Sequence, residues 1–179
     1  HALDRRQRQM CIRDRVIFDD GSLKITAFEV EHLPVYPSMG FRFDYKGRSI
    51  VISGDTDYST NLIEQSKNAD LLFHDALSYN MIGRAEDISE IIQPQLSRVF
   101  YDIQGYHASP VEAAQAANEA NVKELIFYHL IPAPDSFIAK IIFVKGVSEV
   151  RPDNWTLADD GTIAILPVNS EDITITNIE

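Results

Sequence analysis

Apolar and polar residues alternate over Leu23–Val30 (LKITAFEV), the period-2 signature of a half-buried strand. The alternation returns over 39–45, breaks at Lys46-Gly47-Arg48 and resumes as an apolar run over 49–53, which predicts a hairpin. Ser59 predicts the N-cap of a helix over 60–67, and 69–73 a short apolar strand ending at His74-Asp75. Residues 85–100 place Ile88, Ile91, Ile92, Leu96 and Val99 on one side, predicting a helix that Pro94 kinks. Ser109-Pro110-Val111-Glu112 joins an N-cap serine, a proline at the first helical position and a first-turn acid. It predicts a helix running through the alanine-rich stretch 113–120, whose small side chains allow close packing on a sheet. A strand over 123–128 then delivers His129, followed by a final helix over 136–144. A hairpin over 156–166 turns at Asp159-Asp160-Gly161, and a polar tail follows Pro167. Strand–helix alternation after a hairpin predicts an α/β fold of mixed layers, whose strand ends are where sites are built.

The 179 residues suit one domain, and 45% hydrophobic content is enough for a core. The net charge of −11 disfavours general attraction to nucleic acid or anionic lipid. No apolar run reaches the length of a membrane span, and a single cysteine excludes an intrachain disulfide. The stretch from Arg5 to Asp14 is similar to the conceptual translation of a transposase-type sequencing adaptor over ten consecutive residues. A genuine basic arm is the alternative. The expectation is therefore that 1–15 is a non-native, adaptor-derived segment and that 16–179 is the C-terminal part of a single domain. Setting aside its five arginines and two aspartates leaves 16–179 with 11 basic and 25 acidic residues, net −14.

Candidate chemistry sits in five islands: Glu31-His32, Ser53-Gly54-Asp55-Thr56, His74-Asp75-Ala76, Tyr106-His107 and Tyr128-His129. Each puts an imidazole or carboxylate at the end of an apolar run, and these are the ligand types that divalent metals take. Gly54 allows a tight exit that aims Asp55 at the strand mouth, although a Gly-Asp turn alone is also a common cap. His32 and His129 suit terminal metal ligands, but a lone histidine at a strand end is more often a hydrogen-bonded core residue. His107 lies two residues before a helix cap and needs a carboxylate neighbour, for which Asp75 is the candidate, to stay protonated as a general acid. Tyr36, Met39, Tyr79 and Met81 are candidates for lining an entrance.

In their order and context, 52–56, 69–76, 106–114, 121–132 and Glu31-His32 with Gly40-Phe41-Arg42 resemble the metallo-β-lactamase superfamily. They are most similar to its ribonuclease Z and arylsulfatase-like branch. The resemblance covers roughly residues 23–135 and implies an αββα sandwich, of which this chain supplies the C-terminal half only. It implies a dinuclear site with two Zn2+, where His32 completes the first ligand set, Asp55 bridges and His129 binds the second metal. It also implies that His107 protonates the leaving group, that Asp75 orients it and that His74 supports the loop. The implied chemistry is hydrolysis by a metal-bound hydroxide. The family's His-x-His-x-Asp-His ligand cluster does not occur in this chain, so weak or partial metal binding and an inactive fragment are expected. The ribonuclease branch carries glutamate where this chain has Asp75, so the shorter side chain must sit closer to His107. With its acidic charge and no long basic insertion, the chain points to a small-molecule ester (phosphodiester, sulfate ester or lactone), with nucleic acid less favoured. A tRNA 3′-processing ribonuclease Z-like enzyme is the alternative substrate reading, a non-catalytic interaction domain the alternative class, and a homodimer is compatible with either.

Overall fold

The structure, a computed structural model, describes residues 14–83, 99 and 101–178. In chain order the elements are β1 (Arg15–Asp19), β2 (Leu23–Val30), β3 (Ser38–Tyr45), β4 (Arg48–Ile52), α1 (Thr60–Gln65) and β5 (Leu71–Leu77). There follow α2 (Pro110–Glu119), β6 (Glu124–Ile131), α3 (Phe137–Phe143), α4 (Val147–Val150), β7 (Trp155–Leu157), β8 (Thr162–Ile165) and β9 (Thr174–Asn177). The helix expected over 85–100 falls, Val99 apart, outside the described residues.

β1 to β7 form one seven-stranded sheet in sequential order. β1 to β4 pair antiparallel, and β4 to β7 pair parallel. Lys46 and Gly47, both at positive φ (47° and 82°), make the two-residue turn that joins β3 to β4. Because β2 runs the same way as β4, β5 and β6, the C-terminal ends of all four strands open on one edge of the sheet. Those ends carry four of the five islands, and the fifth, Tyr106-His107, comes from the loop before α2.

The pleat sends Phe28, Val51, Leu72, Leu125 and Phe127 to one face, where they are fully buried against Leu62 of α1, the alanines of α2, Phe143 of α3 and Val147 of α4. Ser109 caps α2 in a reciprocal box, its side chain accepting from Glu112 N–H while the Glu112 carboxylate accepts from Ser109 N–H at 2.8 Å. Ala113, Ala114 and Ala117 are fully buried beneath it, so the helix lies close on β5 and β6. Gly40 is required on this face: a Cβ there would meet the Phe28 ring at 2.5 Å. One sheet layer and one helix layer result, the half of the αββα sandwich that the islands imply.

Three expectations are corrected. The helix over 136–144 is not final, since α4 follows it. The hairpin over 156–166 does not form: β7 joins the main sheet parallel to β6, and β8 pairs antiparallel with β9. The polar tail is therefore partly strand, and Arg48 fastens it by donating to the Ser170 and Asp172 carbonyls. At the other end, Arg15 opens β1 opposite Ala27, and the Asp14 carboxylate accepts from Asn61 Nδ2 at 3.1 Å and Gln65 Nε2 at 3.2 Å. The last two residues of the segment set aside in the sequence are thus tied to the sheet and α1. Among the described residues no helix is long and apolar enough to cross a membrane.

Candidate functional site

β5 delivers the centre of the site. Its sheet-buried residues His74 and Asp75 have no solvent exposure. The Asp75 carboxylate accepts from His107 Nδ1 at 2.7 Å, and His74 Nδ1 lies 3.2 Å away. His74 Nδ1 also donates to the Asp75 backbone carbonyl at 2.7 Å, which pins the residue that orients His107. Burial pushes the Asp75 carboxyl up, but hydrogen bonds from His107 and His74, with their charges, outweigh it and hold it below the usual carboxylate range. Aspartate thus suffices where the resembled branch carries glutamate, because the loop bearing His107 comes close to β5.

That approach is built by backbone bonds. Leu77 N–H donates to Ala108 O at 2.9 Å, and Ala108 N–H donates to Thr56 O at 2.9 Å. Thr56 in turn donates its hydroxyl to Glu31 O at 3.1 Å, and its N–H lies 3.4 Å from Asp75 Oδ2. Ser53 Oγ accepts from Asp75 N–H at 3.2 Å. Ser53 and Thr56 therefore lock the islands together. Sequence reasoning gave them no role, although both lie inside the motif that flanks Asp55.

Asp55 leaves β4 through Gly54, whose φ of 68° and lack of a Cβ are both needed, since a Cβ would sit 2.4 Å from the Met39 carbonyl oxygen. His129 occupies a bulge in β6: Asp75 pairs with Tyr128 and Ala76 with Leu130, leaving His129 unpaired at φ 44°. A left-handed backbone is uncommon for histidine, and such bulges re-aim side chains at functional edges. The result is His129 Nε2 3.6 Å from Asp55 Oδ1, both side chains about half exposed (48% and 47%). That distance is too long for a hydrogen bond. It is close to the spacing of about 3.3 Å expected for two ligand atoms on one tetrahedral zinc.

His32 is buried, with ring centroids 4.9 Å from His107 and 5.0 Å from Tyr106, while His107 lies 6.1 Å from His129. Both His32 ring nitrogens are buried without a hydrogen-bond partner. Such nitrogens are costly to leave unmatched, by about 1–3 kcal/mol each, and a cation is a natural match for one of them. The donor set therefore fits a divalent metal. Among the described residues no group of three or more His, Cys, Asp or Glu side chains is placed to hold a metal ion by itself.

The structure thus brings His107, Asp75 and His74 into direct contact, Asp55 beside His129, and His32 against His107. A cavity of about 640 Å³ lined by Tyr128, His129, Pro134, Ala158 and Asp160 adjoins His129. The entrance residues disperse. Tyr36 and Met39 line a separate cavity of about 400 Å³ near β1 and β2, Met81 packs on the core, and Tyr79 turns toward the His107 loop.

A family model described as "Beta-lactamase superfamily domain" matches residues 2–130. The chain belongs to the metallo-β-lactamase superfamily. Ribonuclease Z of Mycobacterium avium (strain 104) is 34% identical over 120 residues, covering 67% of this chain and 39% of the relative. Ribonuclease Z of Mycobacterium tuberculosis (strain ATCC 25618 / H37Rv) is 34% identical over 116 residues, covering 65% of this chain and 39% of the relative. This metallo-β-lactamase chain thus spans 39% of the length of those curated relatives. Among solved structures, the metallo-beta-lactamase fold protein YhfI from Bacillus subtilis shares the fold, with a TM-score of 0.55 and 22% identity over 79% of this chain and 49% of that one.

The relatives' name overturns the expected preference for a small-molecule ester over nucleic acid. The expectation came from the lack of a long basic insertion and from net charge, which sums every surface of the chain and says little about one edge of a sheet. Some of the acidic residues are also locally paired: Asp70 with Arg48 and Lys123, Asp159 with Lys140, and Glu64 with Lys67.

Proposed function

We propose that the chain is the C-terminal part of a metal-dependent hydrolase of the ribonuclease Z type, which cuts a phosphodiester of 3′-extended precursor tRNA. The observation that carries this reading is the buried His107–Asp75 pair at 2.7 Å standing beside Asp55 and His129, whose ligand atoms lie 3.6 Å apart. The shared likeness to enzymes named Ribonuclease Z supplies the substrate class.

In this reading His32 would contribute to one cation, His129 to a second, and Asp55 to both, with zinc the expected metal. When bound, the cations would supply charge neutralisation at the phosphoryl group and a nucleophile active at neutral pH. The remaining work falls to the protein. Asp75 accepts the Nδ1 proton of His107, which fixes the ring's orientation and tautomer. Nε2 is then the ring atom that gives a proton to the departing oxygen. His74, Ser53 and Thr56 keep Asp75 from following the ring, so the donor returns to one position after each turnover.

The test is cleavage of a 3′-extended precursor tRNA by the full-length parent that contains this chain, supplied with zinc. The parent should release a discrete trailer, and His107→Ala should slow release by about 10²–10⁴-fold. A zinc-loaded parent that leaves the precursor intact would end the reading.

A further inference from the structure

Tyr79 follows β5 by two residues, within the helical residues 79–83. Its hydroxyl donates to the His107 backbone carbonyl at 3.0 Å and lies 3.2 Å from the Gln104 carbonyl. One phenolic proton thus faces both ends of the turn 104–107. The residue after His107 is already anchored, by Leu77 N–H to Ala108 O and by Ala108 N–H to Thr56 O, each at 2.9 Å. His107's own main chain is met by a side chain that lies two residues beyond the strand carrying Asp75.

We propose that Tyr79 is a positioning residue for His107: its hydroxyl holds the His107 main chain where the ring meets Asp75. Tyr79 does not touch the substrate. A ring held by one bond to a carboxylate still swings if its Cα moves, and a displacement of about 1 Å in a catalytic group can cost about 100-fold in rate. Asp75 restrains the ring from within β5, and Tyr79 restrains the backbone from the helical residues that directly follow that strand. Burial first, then the negative charges of Glu112 and Asp57, a hydrogen bond to the Glu112 side chain and the charge of Asp75, push the Tyr79 phenol well above its ordinary value, so it remains a donor at neutral pH. The catalytic consequence rests on His107 acting as the proton donor, whereas the structural restraint does not.

The experiment uses the full chain with 15N-labelled histidine and follows the exchange with water of the His107 Nδ1 proton that bonds Asp75. Tyr79→Phe should speed that exchange about fivefold, the scale set by the net worth of one hydrogen bond. Tyr58→Phe is the matched control, because Tyr58 also donates a single phenolic bond, to Glu119 at 2.7 Å, on an exposed surface. It should leave the His107 signal unchanged. A folded Tyr79→Phe protein with wild-type exchange would overturn the assignment. If that variant does not fold, para-aminophenylalanine at position 79 keeps a donor at the ring tip and should retain wild-type exchange; faster exchange there would overturn it equally. In the parent, Tyr79→Phe should lower kcat about tenfold with KM unchanged for an oxygen leaving group, and leave a sulfur leaving group near wild type. Equal losses for both would count against positioning. A wild-type parent without hydrolytic activity would remove the function reading, while the exchange comparison would still decide the role of Tyr79.

Discussion

Asp75→Asn conserves the volume of a side chain with no solvent exposure and removes its charge. Four groups face the carboxylate: His107 Nδ1 at 2.7 Å, His74 Nδ1 at 3.2 Å, Thr56 N at 3.4 Å and Ser53 Oγ at 3.5 Å. Only the first is short enough for a strong charge-assisted bond. A hydrogen bond to a charged group is worth about 1.5–3 kcal/mol. If His107 loses that bond, and each 1.4 kcal/mol is about tenfold in rate, turnover should fall by about 10- to 150-fold. The assay is single-turnover cleavage of precursor tRNA by the parent enzyme, run with the natural scissile oxygen and with sulfur in its place. Sulfur departs as a thiolate and needs no proton, so the variant should cut that substrate at close to the wild-type rate. An equal loss on both substrates, or no loss on either, would refute the assignment of Asp75 to the proton donor.

Other outcomes follow from neighbouring contacts. Asp70 is buried against Arg48 at 3.2 Å and Lys123 at 2.9 Å. Burial raises its carboxyl, but Lys123, the Ser49 N–H and Arg48 outweigh that and leave it depressed. A depressed carboxyl contributes stability that is fully present above its unfolded pKa of about 3.9 and is lost as pH falls through the folded value. Asp70→Asn should therefore cost about 3–5 kcal/mol in urea melts near neutral pH, a gap that narrows below about pH 4; a gap independent of pH would contradict the linkage. Gly54→Ala, facing both a φ of 68° and the Met39 carbonyl, should lose about 2–5 kcal/mol by the same measurement. His32→Leu should raise metal-free stability by about 1–2 kcal/mol, because it removes two unmatched buried nitrogens, and should reduce the rise in Tm that zinc gives the wild type. A comparable destabilisation without metal would show that those nitrogens are satisfied.

The elements that rest on local physics were legible in the sequence. β2 has the bounds that the sequence pattern gives, Leu23–Val30, although its burial does not strictly alternate, since Ala27 and Phe28 are both buried. Ser109 and Glu112 announced the start of α2, since a capping box is written in four consecutive residues. What needed distant partners was not legible. β5 runs on through His74 to Leu77 and β6 through His129 to Ile131, but their polar ends hide the strand pattern. A bulge such as that at His129 adds a residue that no period-2 template contains. The turn at Gly161 is real, with φ 88°, yet β8 pairs with β9 and β7 with β6, a choice made by the sheet rather than by the turn. Of the site, the islands and their residue types were visible. The 3.6 Å spacing of Asp55 and His129 and the locking roles of Ser53 and Thr56 were not, since both follow from the order in which strands align. Net charge misdirected the choice of substrate because it averages over surfaces that the site does not use.

The most direct measurement is an anomalous difference map, recorded at the zinc edge, from crystals of the zinc-loaded parent enzyme. The account predicts zinc bonded to His129 and to Asp55, with a zinc–nitrogen distance of about 2.0–2.1 Å, and His32 bound to a zinc that Asp55 shares. Zinc held elsewhere, with these three side chains outside bonding distance, would contradict it.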